Sequence, residues 1–407
     1  MHKPHISETQ IQMKILVVHN YYQQPGGEDA VFQNERALLE QHGHQVRSYV
    51  RHNNEISGQS IFQKLRLSTN TLWNPKTARD LKELIREFKP DVAHFTNTFP
   101  LVSPAAYYVC HQNHVPVIQT VQNYRLICPR AVLMRDGQTC EKCVGAFFPW
   151  AAIAHRCYHE SALQSAVVAT MLFTHRMIGT WSREVNIYVA ATEFSRTKLK
   201  DGGIPAEKIW VKPNFLSSDP GERNSGTEGE YVLFVGRIAQ EKGVWTLVSA
   251  WKDLDHMPLY IAGDGPLLPK IRQYIQQNQM SHVHILGHQT NTEILVLMKR
   301  ARFLVFPSEW YEGFPMTITE AFACGLPVVA SRLGAMAEII DESRTGLHFD
   351  PGDPQDLAAK VEWAWSHPEA MQAMGQEARK EYEEKYTAER NYKMLMDIYH
   401  HAVASYA

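Results

Sequence analysis

Two glutamates stand eight positions apart in the stretch WYEGFPMTITEA, Glu312 before a Gly-Phe-Pro turn and Glu320 after it. A helix beginning near Pro315 would leave the N–H groups of its first turn unpaired, and its dipole would favour an anion there. At 1.5 Å per residue, Glu320 would lie ~7.5 Å along the axis, roughly the span from a phosphate to the ribose of one nucleotide. A carboxylate suits the vicinal diol of that ribose, and Glu312 would lie on the other side of the phosphates, toward whatever they carry. Upstream, YVLFVGRIAQEKGV ends a strand at Gly236 and then offers Arg237 and Lys242. A planar fork and a point charge together would grip a diphosphate, though two solvated surface cations read the same way. Gly263 in IAGDGPL is another strand-end glycine turn. The residue types and spacings fit a nucleotide diphosphate with a sugar attached.

A second constellation is built from cysteine. Of six cysteines, Cys128, Cys140, Cys143 and Cys157 form a C-x11-C-x2-C-x13-C series. That spacing fits a structural zinc site whose four thiolates close the tetrahedron and leave no position for catalysis, with His155 and His159 as substitute ligands. Reduced free thiols, a redox pair and an iron–sulfur cluster are the other readings. Cys110 and Cys324 read as ordinary buried cysteines. Asp253 and Asp255 mimic a metal-binding D-x-D but precede a strand instead of following one, so a solvated loop is the better reading and no catalytic metal is expected.

The elements that must position these residues alternate along the chain. KILVVHNYY reads as a buried strand, and QQPGGEDA, with Gly26 and Gly27, as a glycine turn opening a helix. Asn74 is a helix N-cap with Pro75 at the first position and Ala78, Leu81, Leu84, Ile85 and Phe88 on one face. DVAHF, VPVIQTV and VNIYVAATEF continue the strands. Residues 211–230 have the Ser, Pro, Gly and acidic composition of a linker. A second alternating series follows in YVLFVGR, PLYIAGDG, VHILG, RFLVFPS and LPVVAS. The expectation is an α/β protein with a leader at 1–12, a first doubly wound domain at 13–215 carrying the cysteine-rich insertion 128–157, and a second at 216–386. A closing helix at 387–407, with Tyr392, Leu395, Met396, Tyr399 and Val403 on one stripe, would pack back on the first domain. Ligands in such sheets bind beyond the carboxyl ends of the strands, and a cleft between two such domains is the default site.

Composition bounds the partners. The 407 residues are 44% hydrophobic and 21% charged, a globular balance too long for one ordinary core. Residues 1–215 hold 24 Lys+Arg against 17 Asp+Glu, which leaves 17 against 26 of the totals 41 and 43 for the remainder. The basic half could face an anionic surface, and FQKLRLSTNTLW sets Lys64 and Arg66 among Phe62, Leu65, Leu67, Leu72 and Trp73, either an interfacial patch or a segment packed on its own domain. The opening residues have no apolar secretory core and no apolar run reaches a membrane-spanning length, so a cytoplasmic protein, peripheral on the inner face of the membrane if it takes a lipid-linked acceptor, is expected. No nucleic-acid partner is expected, and no strand leads into G-x-G-x-x-G, which argues against a dinucleotide oxidoreductase.

Taken together, Glu312 and Glu320 followed by AFACGLPVVAS, the GRIAQEKG loop and the GDGP turn resemble the retaining glycosyltransferases of family 4, with the GT-B fold of two Rossmann-like domains facing across a cleft. GGED, DVAHF, FPLVSP, NYRLICP, VKPNF and the cysteine segment resemble a subgroup associated with exopolysaccharide and cell-envelope assembly. The resemblance implies transfer of a sugar from a nucleotide-diphosphate sugar, UDP or GDP, to a glycan or lipid-linked acceptor. It implies that Arg237 and Lys242 neutralise the leaving diphosphate, Glu320 holds the ribose, Glu312 contacts the donor sugar, the backbone of Gly313, Phe314, Pro315, Met316 and Thr317 meets the phosphates, and Gly26 and Gly27 close over them. His94, Gln122 and Asn123 fall where acceptor or sugar contacts are expected, although His94 reads equally as a core histidine. The chain departs from the family where Gln122 stands for a histidine before N-Y-R-L and where Thr96 stands for another. Gln122 can hydrogen-bond a sugar but cannot relay a proton. A non-catalytic nucleotide-sugar or glycan-binding protein and a sugar-nucleotide epimerase on the same scaffold are the alternatives.

Overall fold

The computed structural model describes residues 12–23, 26–56, 61–223 and 229–406. Of the leader at 1–12 only Gln12 is among them, and the side chains of Phe62, Lys64, Leu65 and Arg66 in the basic apolar segment lie outside the described residues. The strands, in chain order, are β1 (Lys14–Tyr21), β2 (Gln45–His52), β3 (Val92–Phe95), β4 (Val117–Val121), a hairpin of β5 (Met134–Arg135) and β6 (Gln138–Thr139), then β7 (Ile187–Ala190) and β8 (Ile209–Val211). The later series is β9 (Tyr231–Val235), β10 (Leu259–Ala262), β11 (Val283–Gly287), β12 (Ala301–Phe306), β13 (Val328–Ser331) and β14 (Gly346–Phe349).

By contact the chain forms two compact units. The first gathers the described residues up to 121, with 174–189 and 395–406. Its pivot is β1, parallel to β2 with Lys14 opposite Gln45 and to β3 with Ile15 opposite Val92, while β3 pairs with β4. Ile15, Leu16, Val17 and Val18 are all buried, as a strand covered on both faces requires. The helix Pro75–Phe88 starts where Asn74 accepts from the N–H groups of Lys76 and Thr77, and it buries Leu81, Ile85 and Phe88. From the closing helix Ala388–Tyr406, Leu395 and Tyr399 are fully buried, and Tyr399 belongs to the first unit.

The second unit gathers residues 122–173 and 190–394. Residues 122–173 and 190–215 fall in this second unit by contact, while β8 extends the first sheet, whose order is β2-β1-β3-β4-β7-β8. That sheet is wholly parallel in the order β11-β10-β9-β12-β13-β14. Period-two alternation sends Val232 and Phe234 into one core with Trp251 and Phe303, and Tyr231 and Leu233 into another with Leu304 and Phe322. Each fully buried aromatic or leucine contributes about 2–3 kcal/mol of transfer free energy. The order reverses between β9 and β12, and at such a reversal the loops after the two strands diverge and leave a crevice at their carboxyl ends.

Candidate functional site

The crevice is where the charged residues collect. β9 runs out through Gly236 to Arg237, and β12 runs out through Pro307 to Ser308, Glu309 and Glu312. Lys242 follows on a single 3-10 turn, Gln240–Lys242, and its Nζ lies 2.6 Å from Glu312 Oε1. The same oxygen accepts from Ser308 Oγ at 2.8 Å. Glu312 is 6% exposed, so its carboxylate needs these two donors. The Lys242 ammonium also lies 5.4 Å from the Trp310 ring centroid, and it commits one of its three N–H donors to Glu312. Arg237 is exposed.

Close backbone approaches fix this geometry. The N–H of Gly236 donates to Ala262 O at 3.1 Å, and a Cβ on Gly263 would fall 1.9 Å from Gly236 O. At Gly243, φ is +65° and a Cβ would meet Pro307 O at 1.8 Å, so only glycine lets the Lys242 turn lie against the end of β12. Thr246 Oγ1 then reaches Glu309 Oε1 at 2.5 Å. Gly313 packs with equal closeness on the other side, where a Cβ would stand 2.4 Å from Gln122 O.

The helix after this turn spans Met316–Ala323, with Pro315 as N-cap and no side chain capping it. Phe314 sets its ring edge-on to Tyr386 at 5.9 Å, Pro315 is buried, and Met316 and Thr317 are half-buried in the first turn. Glu320 lies one turn in, and burial pushes its carboxyl up to about 7. Donors such as hydroxyl groups that reach such an acid favour its ionised form.

Gln122 and Asn214 clasp each other in a reciprocal amide pair, at 2.9 Å from Gln122 Nε2 to Asn214 Oδ1 and 3.0 Å in return. Asn123 Oδ1 accepts the Arg125 N–H, a turn that aims the segment toward Tyr124, whose hydroxyl lies 3.2 Å from Ser195 Oγ. Ser308, Asn214 and Thr246 were not singled out in the sequence. Ser308 carried the one available signal, a hydroxyl at the end of a strand four residues before a glutamate.

In the first unit the candidates behave differently. His94 is 1% exposed, with Nδ1 2.8 Å from Tyr399 Oη and Nε2 2.7 Å from Thr120 Oγ1. Both ring nitrogens engage groups within the protein, as a core histidine does. His19, not anticipated, is fully buried between Asp29 Oδ1 and Thr96 Oγ1, each 2.7 Å away. Burial lowers its pKa and Asp29 partly opposes this. Asp29 Oδ2 also accepts the Gly26 N–H at 2.9 Å, which ties the glycine turn to the helix Gly27–Gln41. A Cβ on Gly26 or Gly27 would meet nothing within 4 Å, so packing inside this unit does not demand glycine at either position.

The four clustered cysteines come together. Cys128, Cys140, Cys143 and Cys157 all line one pocket with Arg130, Arg135 and His155. They are free thiols, and among the described residues no three His, Cys, Asp or Glu side chains stand as a ready metal-binding group. Burial first, and Cys128 next, push the Cys143 thiol up to about 11. Cys110 and Cys324 are fully buried.

The second unit thus sets two cations, a buried carboxylate and an uncapped helix at the switch point of its sheet. Residues 218–381 match the family described as Glycosyl transferases group 1, and residues 25–219 match Glycosyltransferase Family 4. The chain belongs to the family 4 glycosyltransferases. It is 34% identical over 174 residues to the uncharacterized glycosyltransferase MJ1178 of Methanocaldococcus jannaschii, covering 42% of this chain and 49% of that protein. It is 29% identical over 160 residues to the D-rhamnosyltransferase WbpZ of Pseudomonas aeruginosa, covering 39% and 42%. The chain thus spans less than half the length of these curated relatives. The crystal structure of Anabaena Alr3699/HepE in complex with UDP superposes with a TM-score of 0.66 at 16% identity, covering 95% of this chain and 99% of that one, which gives the GT-B fold class.

Proposed function

We propose that this protein transfers a sugar from a nucleotide-diphosphate sugar to a glycan or lipid-linked acceptor, with retention at the anomeric carbon. The observation that carries the reading is the Lys242–Glu312–Ser308 array at the switch point, with Arg237 exposed just past the end of β9. The bond from the sugar C1 to the diphosphate oxygen breaks, the acceptor oxygen bonds C1 on the same face, and the acceptor proton passes to the departing diphosphate. Negative charge grows on the leaving group, where Arg237 and the two uncommitted N–H donors of Lys242 meet it. No protein base is needed for that proton, so Gln122 in place of a histidine is compatible with turnover. Glu312, held by Lys242 and Ser308 through Oε1, keeps Oε2 for a sugar hydroxyl. Glu320 accepts the ribose hydroxyls, and their donors stabilise the ionised carboxylate that burial disfavours.

UDP is the first donor to try, because Alr3699/HepE was crystallised with UDP and with UDP-glucose. The excess of seven positive charges over residues 1–215, from 24 Lys+Arg and 17 Asp+Glu, suits an anionic, diphosphate-linked acceptor at a membrane face. Among the described residues no helix is long and apolar enough to cross a membrane. Co-sedimentation with anionic vesicles tests peripheral attachment, and failure to sediment removes that part of the proposal.

The test of the whole reading is nucleotide release from UDP- and GDP-sugars with and without glycan and lipid-linked acceptors. Release that needs an acceptor, with a product of unchanged anomeric configuration by NMR, supports it. Consumption without acceptor that yields an isomeric nucleotide sugar identifies an epimerase, and binding without consumption identifies a binding protein.

A further inference from the structure

We infer that Cys128, Cys140, Cys143 and Cys157 bind one zinc ion as a structural tetrathiolate. The four reach their shared pocket from separate pieces of irregular chain. Cys128 closes a turn after β4, its N–H on Tyr124 O at 2.8 Å. Cys140 and Cys143 form a knuckle after the β5–β6 hairpin, whose Asp136-Gly137 tip has φ of +51° and +78°, the left-handed pair that a two-residue hairpin turn requires. Cys157 follows the short helix Trp150–Ala154, its N–H on Ala152 O at 2.9 Å.

Between 128 and 160 lie six of the eleven non-glycine residues with positive φ among those described: Ala131, Leu133, Asp136, Arg156, His159 and Glu160. Backbone of this kind persists only where the surroundings over-determine it. Two-residue strands and a five-residue helix do not do so, whereas a four-point cross-link at their centre does.

The charges around the pocket point to an anionic centre. Arg130 and Arg135 line it together with the cysteines. Arg135 Nε faces the exposed Asp136 carboxylate at 3.2 Å, while Nη1 is buried with no hydrogen-bond partner. Zinc held by four thiolates carries a net charge of −2, from +2 on the metal and −4 on sulfur. The two guanidinium groups that line the pocket would offset that charge, and Arg135 Nη1 has its N–H groups free to turn toward sulfur. Free thiols or disulfides are neutral and offer the buried Arg135 Nη1 no anion.

Binding releases four thiol protons as four zinc–sulfur bonds form, and side-chain rotation draws the sulfurs to the metal. The closed tetrahedron has no catalytic position. Its place is structural: Glu141, inside the knuckle, takes Lys198 Nζ at 2.7 Å, and the same ammonium lies 5.7 Å from the ring centroid of Tyr311, the neighbour of Glu312. The metal thus fixes one wall beside the Glu312 turn, whatever ligand that turn serves.

The test uses the full chain, purified under reducing conditions, with zinc counted by mass spectrometry and native thiols titrated by a disulfide reagent with and without added zinc chloride. About one zinc per chain is expected. Four reactive thiols should appear on chelation and be shielded again by zinc, and chelation should lower the melting temperature. Cys143→Ser should lose the metal, while Cys324→Ala should keep it. If Cys143→Ser does not fold, the wild-type stoichiometry and thiol shielding still decide. Wild-type protein without zinc whose thiol reactivity is unchanged by added zinc overturns the inference. So does a bound iron cluster, or a disulfide among the four in protein kept reduced.

Discussion

The first unit buries His19 and His94 and engages every ring nitrogen of both, while the second unit buries Glu312 against a lysine that has donors to spare and leaves Arg237, past the end of β9, in solvent. Both are buried polar networks, yet they do opposite work. A closed network specifies packing, because any change leaves a buried group unpaired. An open one has capacity left for a ligand. Residue type alone does not separate them: His94 and Glu312 are both suggestive in the sequence, and only the partners distinguish a histidine with both nitrogens engaged from a carboxylate whose lysine keeps donors to spare.

The sharpest way to break this contrast is in the open network. Lys242→Ala should lower turnover ~10²–10³-fold by removing charge from the leaving group, while Arg237→Ala should lower turnover and shift stability by under ~0.5 kcal/mol, since its side chain is exposed. Steady-state kinetics beside denaturant unfolding separates the two effects.

Glu320→Gln probes the buried acid. The folded-state pKa of about 7 lies above the ordinary glutamate value of 4.5, so the protonated form is favoured in the fold and its advantage fades as pH rises between those values. Glutamine mimics the neutral acid. The variant should match wild type near pH 4 and exceed it by ~3 kcal/mol at pH 8, as read from unfolding curves at each pH. Its nucleotide affinity should lose the weakening that wild type shows as pH falls below 7.

In the closed network, Tyr399→Phe removes the hydroxyl that meets His94 Nδ1 and should cost ~1–3 kcal/mol of stability without altering nucleotide affinity. A loss of affinity equal to that of Lys242→Ala would erase the distinction between the two networks. The smallest effect is on acid stability. Burial lowers the pKa of His19 below 6.5, so stability should decline as pH falls through the unfolded value of 6.5, and His19→Gln should flatten part of that slope.

Much of the scaffold is legible in the chain because it is local. The Asn74-Pro75 cap, the apolar run of β1 and the strand-end glycines each announce an element within a few residues. Glu312, Lys242 and Arg237 are legible as chemistry because their spacing follows the strand ends that carry them. What escaped was set by distant contacts. The grouping of residues 122–173 with the second unit, Ser308 as the second donor to Glu312, and His19 between Asp29 and Thr96 join positions that no periodicity links. The same limit left Gly26 and Gly27 ambiguous, since open space around a glycine cannot be read from its neighbours in sequence.

The central claim, that the switch point of the second sheet holds a nucleotide diphosphate through Arg237, Lys242 and Glu320, is tested most directly by thermal shift. Wild type, Arg237→Ala and Glu320→Ala should be melted with UDP, GDP, ADP and dTDP at rising concentration. One nucleotide should stabilise wild type by ~2.7 kcal/mol at a hundredfold excess over its Kd, with the shift lost in both variants. A shift that survives in both variants, or no shift with any of the four, would contradict the claim.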